Sequence, residues 1–194
     1  MQQSEKPKIG ITRQEALDLI KKYLPQDNLI KHCLATEVIM RALAKKLGLD
    51  EELWGIAGLL HDLDYTETKD QMEHHTLQTE KILLGLGVNQ EIIDAIKGHN
   101  ADKLGYQRTT AFEHALTAAE CITGLIVATA LVYPDKKLAS VKPQSIIKRM
   151  KQREFARSVN RDYIRECEKA GIPLEEFAAL SLQAMCTISD VLEL

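Results

Sequence analysis

The sequence has few aromatic residues, few cysteines and no excess of either charge. Aromatic residues make up 5% of the 194 positions, and the four cysteines include no C-x-x-C pair. Each cysteine lies among apolar, helix-forming neighbours, where a small buried thiol fits, so we expect a reducing, cytoplasmic location. A formal net charge of −3 at pH 7 provides no general attraction to nucleic acid or to an anionic membrane surface.

The sequence also lacks a hydrophobic run long enough to cross a membrane. The most apolar segment, 121–132, has 12 residues and includes two Thr and a Gly, whereas a spanning helix needs about 20 apolar residues. The polar segment 1–10 has no apolar core of the kind that a secretory signal requires. We therefore expect no membrane partner, and a disordered lead at 1–10.

Alternation of polar and apolar residues, the pattern of a half-buried strand, is missing as well. Apolar residues instead recur at helical spacing, beginning after the capping box Thr12-x-x-Glu15 and interrupted by Pro25 and Gly48. Helices are predicted over about 13–24, 28–47, 51–61, 71–86, 89–99, 110–131, 143–151, 160–170 and from 173 onward. The sequence predicts an all-α, single-domain helical bundle with a core at 11–133 and C-terminal helices at 134–194 packed on it.

A His-Asp pair, His61-Asp62, stands where the apolar run 56–60 ends. Adjacent side chains leave a helix about 100° apart, so the two can meet one cation only at a helix end. Gly58 before the pair and the turn-forming residues 64–66 after it favour such an end. Imidazole and carboxylate together suit Zn, Mn, Fe or Ni. The alternative is a surface or capping pair without a metal.

Helical spacing divides the remaining histidines into inward and outward groups. His32 and His75 fall on apolar stripes of their predicted helices, whereas His74 falls on a polar stripe. His99 ends its predicted helix at a Gly-His-Asn turn, where the ring can face a cleft or simply complement the helix dipole. His32, His75 and His99 are thus candidate ligands, with satisfied core histidines as the alternative, and His114 is interpreted as structural.

Glu120 is an acidic residue on an otherwise apolar stripe, beside Leu116 and Val127. A buried carboxylate is costly unless it is paired or ligates a cation. We therefore expect Glu120 to have a basic or metallic partner.

The candidate residues occur in a fixed order on successive predicted helices: His32, His61-Asp62, His75, His99 and Glu120. This order resembles the HD-domain superfamily of metal-dependent phosphohydrolases over about residues 31–132. The segments GLLHDLDY at 58–65 and TGLI at 123–126 are similar to the small stand-alone HDIG-type proteins of that superfamily.

The resemblance implies one or two divalent ions per chain (Mn, Fe, Ni, Co, Zn or Mg) and a small phosphate-containing substrate. In the family a first His, the His-Asp doublet and a distant Asp bind one ion, and further histidines complete a second site. The implied metal ligands are His32, His61, Asp62, His75, His99 and Glu120. Glu120 stands where the family has Asp, and its extra methylene would move the ion, replace ligation by a contact through water, or abolish activity.

Besides the ligand Asp62, this interpretation gives catalytic roles to Asp64 and Lys69. Asp62 would bridge two ions, and Asp64, just beyond it, would accept the proton of the attacking water. Lys69 in the following loop would neutralise phosphate, and Lys97 is a weaker candidate for the same role. The alternatives are a capping role for Asp64 and solvated surface positions for the lysines.

The segment 142–165 carries eight basic residues against two acidic ones. Such a charge could steer an anionic substrate or bind RNA. No aromatic ladder accompanies it, so we prefer a solvated helix face and consider nucleic acid an unlikely partner. The favoured function is a phosphohydrolase. The alternatives are a metal-binding or ligand-sensing module without turnover and a nucleic-acid-associated protein, and a homo-oligomer is compatible with each.

Overall fold

The computed structural model describes residues 9–194, which form helices and no strand. The first helices are α1 (Arg13–Tyr23), α2 (Asp27–Leu47), α3 (Glu51–Leu60), α4 (Tyr65–Thr68), α5 (Leu77–Gly85), α6 (Gln90–His99) and α7 (Ala101–Leu104). They are followed by α8 (Ala111–Leu131), α9 (Pro143–Met150), α10 (Arg161–Ile164), α11 (Glu166–Lys169), α12 (Leu174–Cys186) and α13 (Ser189–Leu192). The predicted all-α fold is confirmed.

The predicted lead at 1–10 lies mostly outside the described residues. Within them, the backbone N–H of Asn89 donates to the carbonyl of Ile9 at 2.9 Å. Residue 9 of the predicted lead therefore takes part in the fold.

Side-chain caps determine where the principal helices begin. Thr12 and Thr110 each form a capping box, with Glu15 and Glu113 as the reciprocal partners, ahead of α1 and α8. The Asp50 carboxylate accepts hydrogen bonds from two backbone N–H groups in the first turn of α3. Because the starting points are fixed, the side chains that face inward along each helix are fixed as well.

Helices α2 and α3 are in backbone contact at Gly58. A Cβ at this position would lie 2.9 Å from the carbonyl oxygen of Thr36, which is too close for any other residue.

Glu37, almost completely buried in α2, is neutralised by Arg13 at 2.6 Å and Arg41 at 2.9 Å. The two ion pairs satisfy a carboxylate that would otherwise be costly to bury.

The helix predicted over 71–86 is shorter than expected. Residues 71–76 form turns, and α5 begins only at Leu77. Thr76 has φ 77°, in the left-handed region, and its N–H donates to the carboxylate of Asp64, as do those of Gln78 and Thr79. The carboxylate of Asp64 therefore accepts hydrogen bonds from the backbone N–H groups at the start of α5. Because these groups are satisfied there, the helix begins at Leu77 and not at residue 71.

Helix α8 passes through the core of the bundle. Within residues 9–194 it is the one helix long and apolar enough to cross a membrane, yet most of it is buried against other helices, as in the core of a soluble domain. The C-terminal helix α12 packs on α2 and α9, with Phe177 fully buried. The C-terminal helices thus contribute to the same apolar core as α2 and α8.

Candidate metal centre

Three side chains from two helices form the first triplet of ligand atoms. His32 projects from α2, His61 caps the end of α3, and Asp62 follows in the next turn. His32 Nε2 lies 3.1 Å from His61 Nε2, and Asp62 Oδ2 lies 3.6 Å and 3.5 Å from these two atoms. The end of α3 therefore presents His61 and Asp62 to one point, as the helix-end argument requires.

The second triplet uses the other oxygen of Asp62. His75 Nε2 and His99 Nε2 are 3.0 Å apart, and Asp62 Oδ1 lies 3.2 Å and 3.6 Å from them. Metal–nitrogen bonds of about 2.0–2.1 Å in octahedral or tetrahedral geometry place neighbouring ligands about 2.9–3.4 Å apart. Both triplets are close to this spacing, with Asp62 shared between them.

The second nitrogen of each histidine ring is hydrogen bonded away from its triplet. His61 Nδ1 donates to Gly58 O at 2.8 Å, and His99 Nδ1 donates to Ile96 O at 2.6 Å. These donations fix the tautomer that leaves a lone pair on Nε2, the arrangement usual for metal-bound histidine.

His32 follows the same rule through Thr123. The Thr123 hydroxyl donates to the Glu120 carbonyl at 2.6 Å, so its oxygen accepts from His32 Nδ1 at 2.9 Å. Burial lowers the pKa of His32 and of His61 to about 4. Near neutral pH both rings are therefore neutral, and two Nε2 lone pairs face each other across 3.1 Å. A cation between them resolves this repulsion, so the residues present fit a divalent metal.

His75 and Asp64 form a buried pair beside the second triplet. Burial lowers the pKa of His75, but its hydrogen bonds to Asp62 and Asp64 outweigh this effect and raise the pKa to about 9. The Asp64 carboxylate accepts from His75 Nδ1 at 2.8 Å and from three backbone N–H groups. Asp64 therefore orients His75 and caps α5. Its role as acceptor of the proton of the attacking water stays a prediction.

Glu120 lines the same cavity but lies outside both triplets. Its Oε1 accepts a hydrogen bond from Cys121 Sγ at 2.8 Å. Burial raises the pKa of Glu120 to about 8, although the thiol opposes this effect. The carboxyl group thus faces the ligands without joining them in this arrangement, and direct ligation stays a prediction.

The predicted lysines are not at the centre. Lys69 is exposed at the end of α4 and does not line the cavity. Lys97 pairs with Glu80 at 2.8 Å. Lys103, which follows His99 by one turn, lines the cavity instead and is exposed. The lysine that lines the cavity therefore comes from α7, and neither of the two predicted lysines does so.

The cavity over the two triplets has a volume of about 470 Å³. Its wall includes four polar residues besides Lys103 that the sequence did not indicate as site residues: Tyr65, Asn100, Asn160 and Tyr163. Asn160 and Tyr163 come from the segment at the start of α10, so the C-terminal helices complete the wall. No local pattern connects them with a histidine more than sixty positions earlier.

Asn100 connects the two histidine-bearing segments of the second triplet. Its side-chain amide donates to Met72 O at 2.8 Å and to His75 O at 3.0 Å. Because Asn100 directly follows His99, these two hydrogen bonds connect the 71–76 turns to the end of α6. Asn100 is buried, and its bond to the His75 carbonyl is buried as well.

The two remaining histidines lie outside the triplets. His74 is exposed. His114, interpreted as structural, pairs with Glu166 of α11 through Nδ1 at 2.5 Å.

Comparisons with known proteins support the same assignment for the core. The family model "HD domain" matches residues 29–132, more than half of the chain. The chain is similar to a tRNA (cytidine(56)-2'-O)-methyltransferase of Thermoplasma volcanium, with 31% identity over 71% of this chain and 41% of that protein. It is also similar to a ribonuclease Y of Protochlamydia amoebophila, with 34% identity over 38% of this chain and 14% of that protein.

The chain thus spans less than half of the length of these curated relatives. No solved structure matches it significantly. The family match includes His32, the His61-Asp62 pair, His75, His99 and Glu120, which are the residues on which the resemblance was based. The chain therefore belongs to the HD domain family, whose members include metal-dependent phosphohydrolases.

Proposed function

We propose that this protein is a divalent-metal-dependent phosphohydrolase that acts on a small nucleotide or a related phosphate ester. The observation that carries the proposal is the pair of triplets that share the Asp62 carboxylate, each at metal-ligand spacing. Membership of the HD domain family supports the same reaction class. The substrate cavity of about 470 Å³ falls within the range of about 300–1,000 Å³ usual for small-molecule sites.

His32 and His61 would hold one ion and His75 and His99 the other, with Asp62 between them. Bound divalent ions polarise a phosphate oxygen and lower the pKa of a coordinated water. Asp64 keeps His75 oriented, and Lys103 offers a positive charge to the phosphate at the cavity edge. Glu120 would act on the ions through a water, since its carboxyl faces the same cavity from outside the triplets.

The test is turnover of a panel of nucleotides and simple phosphate esters by purified protein supplied with Mn²⁺, Co²⁺, Ni²⁺ or Mg²⁺. We expect release of inorganic phosphate that chelation abolishes and re-addition of metal restores. The variant Asp62→Asn should be inactive, and His74→Ala, which changes an exposed ring of the same type, should match the parent. Equal turnover by the parent and Asp62→Asn would refute the proposal.

A second candidate, action on RNA, is favoured by one specific observation. The two relatives described above carry names that refer to RNA, a tRNA methyltransferase and a ribonuclease. The basic segment 142–165 supports this candidate only in part, because Arg161 donates to backbone carbonyls and Arg149 stacks on Phe155. Binding of a tRNA that weakens steeply with salt would favour this candidate. Metal binding without turnover of either substrate class would favour the sensing module.

A further inference from the structure

A cavity that we call the basic cavity lies between the end of α8 and helix α9. It has a volume of about 230 Å³ and is lined by Tyr133, Ser145, Lys148, Arg149 and Gln152. It shares no residue with the cavity of about 470 Å³ over the two triplets. Glu120, which lines that larger cavity, lies about 16 Å along the axis of α8 from Leu131, where the helix ends. The basic cavity is therefore separate from the metal centre.

Helix α9 presents most of the basic cavity on one face. Four of the lining residues recur at spacings of three and four positions along and just beyond this helix: Ser145, Lys148, Arg149 and Gln152. Ile146 and Met150, on a different face, are buried in the core of the bundle. Tyr133 closes the other side, with its hydroxyl 2.8 Å from that of Ser145. The polar face of α9 thus forms one wall of a concave site.

The positive charges of the basic cavity are not neutralised. Within residues 9–194 neither Lys148 nor Arg149 forms an ion pair, and no acidic residue lines the cavity. By contrast, Arg157 in the same segment pairs with Glu154 at 2.5 Å, and Arg161 donates to backbone carbonyls. Part of the positive charge of the segment 142–165 is therefore left without a partner at a cavity.

The polar groups around the basic cavity are held in place. The Arg149 guanidinium lies over the ring of Phe155, with 4.0 Å between Cζ and the ring centroid. Stacking uses the face of this group, so the N–H donors at its edge stay available. The hydrogen bond with Ser145, the backbone N–H of Lys142 and the charges of Lys142 and Arg149 lower the pKa of Tyr133. This side of the cavity therefore favours negative charge.

We propose that the basic cavity binds a phosphate group of a small molecule, and does so independently of the metal centre. Lysine provides a point charge for such an anion, arginine provides paired N–H donors, and hydroxyl groups complete its hydrogen bonds. All three kinds of group line this cavity. A volume of about 230 Å³ is below the range of about 300–1,000 Å³ usual for complete ligands, so the cavity fits a phosphate group and little more.

RNA fits the basic cavity less well than a single phosphate group. Single-stranded RNA is held by aromatic rings on which successive bases stack. Among the described residues that line the cavity Tyr133 is the one aromatic, and the nearby ring of Phe155 is covered by Arg149. The phosphate group therefore comes either as free inorganic phosphate or on a small organic molecule.

The experiment follows binding at this site by nuclear magnetic resonance. Inorganic phosphate is titrated into ¹⁵N-labelled protein supplied with Mg²⁺, and the amide signals of residues 145–152 report on the basic cavity separately from the metal centre. We expect these signals to shift and to saturate. Lys148→Gln and Arg149→Gln should each weaken the binding about tenfold or more, because each removes a charged donor to the anion.

The matched controls are Lys151→Gln and Arg153→Gln, which remove the same charge from exposed positions of the segment outside the cavity. They should change the affinity about twofold or less, since exposed charges are screened. A second titration with methylphosphonate, which carries the anion on carbon and is not hydrolysed, separates the two sources. Binding as tight as that of phosphate supports an organic phosphate, and binding of phosphate alone supports the free anion.

Signals of residues 145–152 that do not saturate with either compound overturn the inference. Equal weakening in all four variants does so too, because it indicates diffuse surface charge and no defined site. An RNA oligonucleotide with a 5′-hydroxyl that shifts the same signals, when neither small anion does, would assign the cavity to RNA instead. The titrations involve no turnover, so the inference and the proposed reaction can fail independently.

Discussion

Asp62 is the one residue that belongs to both triplets, so its charge would offset both cations. Asp62→Asn removes that charge and retains the shape of the side chain. We expect the purified variant to contain less than about a tenth of the metal of the parent, measured by inductively coupled plasma mass spectrometry. His99→Ala, which affects one triplet, should reduce the content from two ions to one. Equal losses in the two variants would contradict a shared bridge.

His75 gives the two triplets different pH dependences. In the metal-free protein its pKa is about 9, whereas the pKa values of His32 and His61 are about 4. A metal binds only the neutral ring, so near pH 7.5 occupation of the second triplet must displace the His75 proton. The metal affinity of the second triplet should therefore rise about tenfold per pH unit up to about pH 9. The metal affinity of the first triplet should stay nearly constant above about pH 5.

The measurement for this pH dependence is calorimetric titration of metal in two buffers of different ionisation enthalpy. We expect about one proton to be released per chain, and only with the second ion. Release of no proton, or the same release with each ion, would contradict the difference between the triplets.

Glu120 tests how the longer side chain acts in place of the family's aspartate. Because it lies outside the triplets, its removal should weaken the site less than removal of Asp62 does. We expect Glu120→Gln to lower metal affinity about 10–100-fold, as outer-shell changes do, and Glu120→Asp to bind at least as tightly as the parent. Metal titrations of the three proteins compare these affinities. A Glu120→Gln variant that binds like the parent would remove Glu120 from the metal centre.

At the scale of elements, the 71–76 turns and the end of α6 act together through Asn100. Asn100→Ala removes both hydrogen bonds that join them and takes the side-chain donor from the carbonyl of buried His75, whereas the Met72 carbonyl still accepts from the His75 N–H. We expect the affinity of the second triplet to fall about 10–100-fold, with the first triplet unchanged. Gln71→Ala, at an exposed position of the same turns, is the control in the metal titration. Equal weakening of both triplets would indicate a general loss of structure.

The elements also show how much could be read from the sequence. The ends of α1, α3, α6 and α8 follow from local caps and apolar spacing, and the structure has them within one or two residues of the predicted bounds. His75 was selected because of a helical stripe, yet it lies in a turn. The residue is in the second triplet for a different reason, namely the bond from its Nδ1 to Asp64.

Contacts between distant segments explain what the sequence could not provide. Asp64 caps a helix that begins thirteen positions later and accepts a hydrogen bond from His75, contacts that its place beside the His-Asp pair did not predict. Tyr163 reaches the cavity wall because its hydroxyl donates to Asp102 at 2.5 Å and its ring stacks on Arg108. No local sequence pattern predicts the contacts of Asp64 or of Tyr163, because only the tertiary fold brings the partners together.

At the scale of the whole molecule, the C-terminal helices and the metal centre are predicted to unfold together. Phe177 of α12 is fully buried, so Phe177→Ala should cost about 3–5 kcal/mol of unfolding free energy. Leu84→Ala, at a residue 51% exposed, should change it by about 0.5 kcal/mol or less. Thermal unfolding followed by circular dichroism and by metal release should give one coincident transition. Two separate transitions would instead indicate that the core up to residue 133 and the helices from residue 134 onward unfold independently.

The backbone contact at Gly58 has a consequence for which ion the protein accepts. His32 belongs to α2 and His61 to the end of α3, so the distance between their rings depends on how closely the two helices approach. That approach is limited by main-chain atoms, which yield far less than side chains do. The size of the ion that fits between His32 and His61 would therefore be limited by Gly58, a residue without a side chain. An added methyl group at Gly58 would separate the two helices and shift the preference toward larger cations.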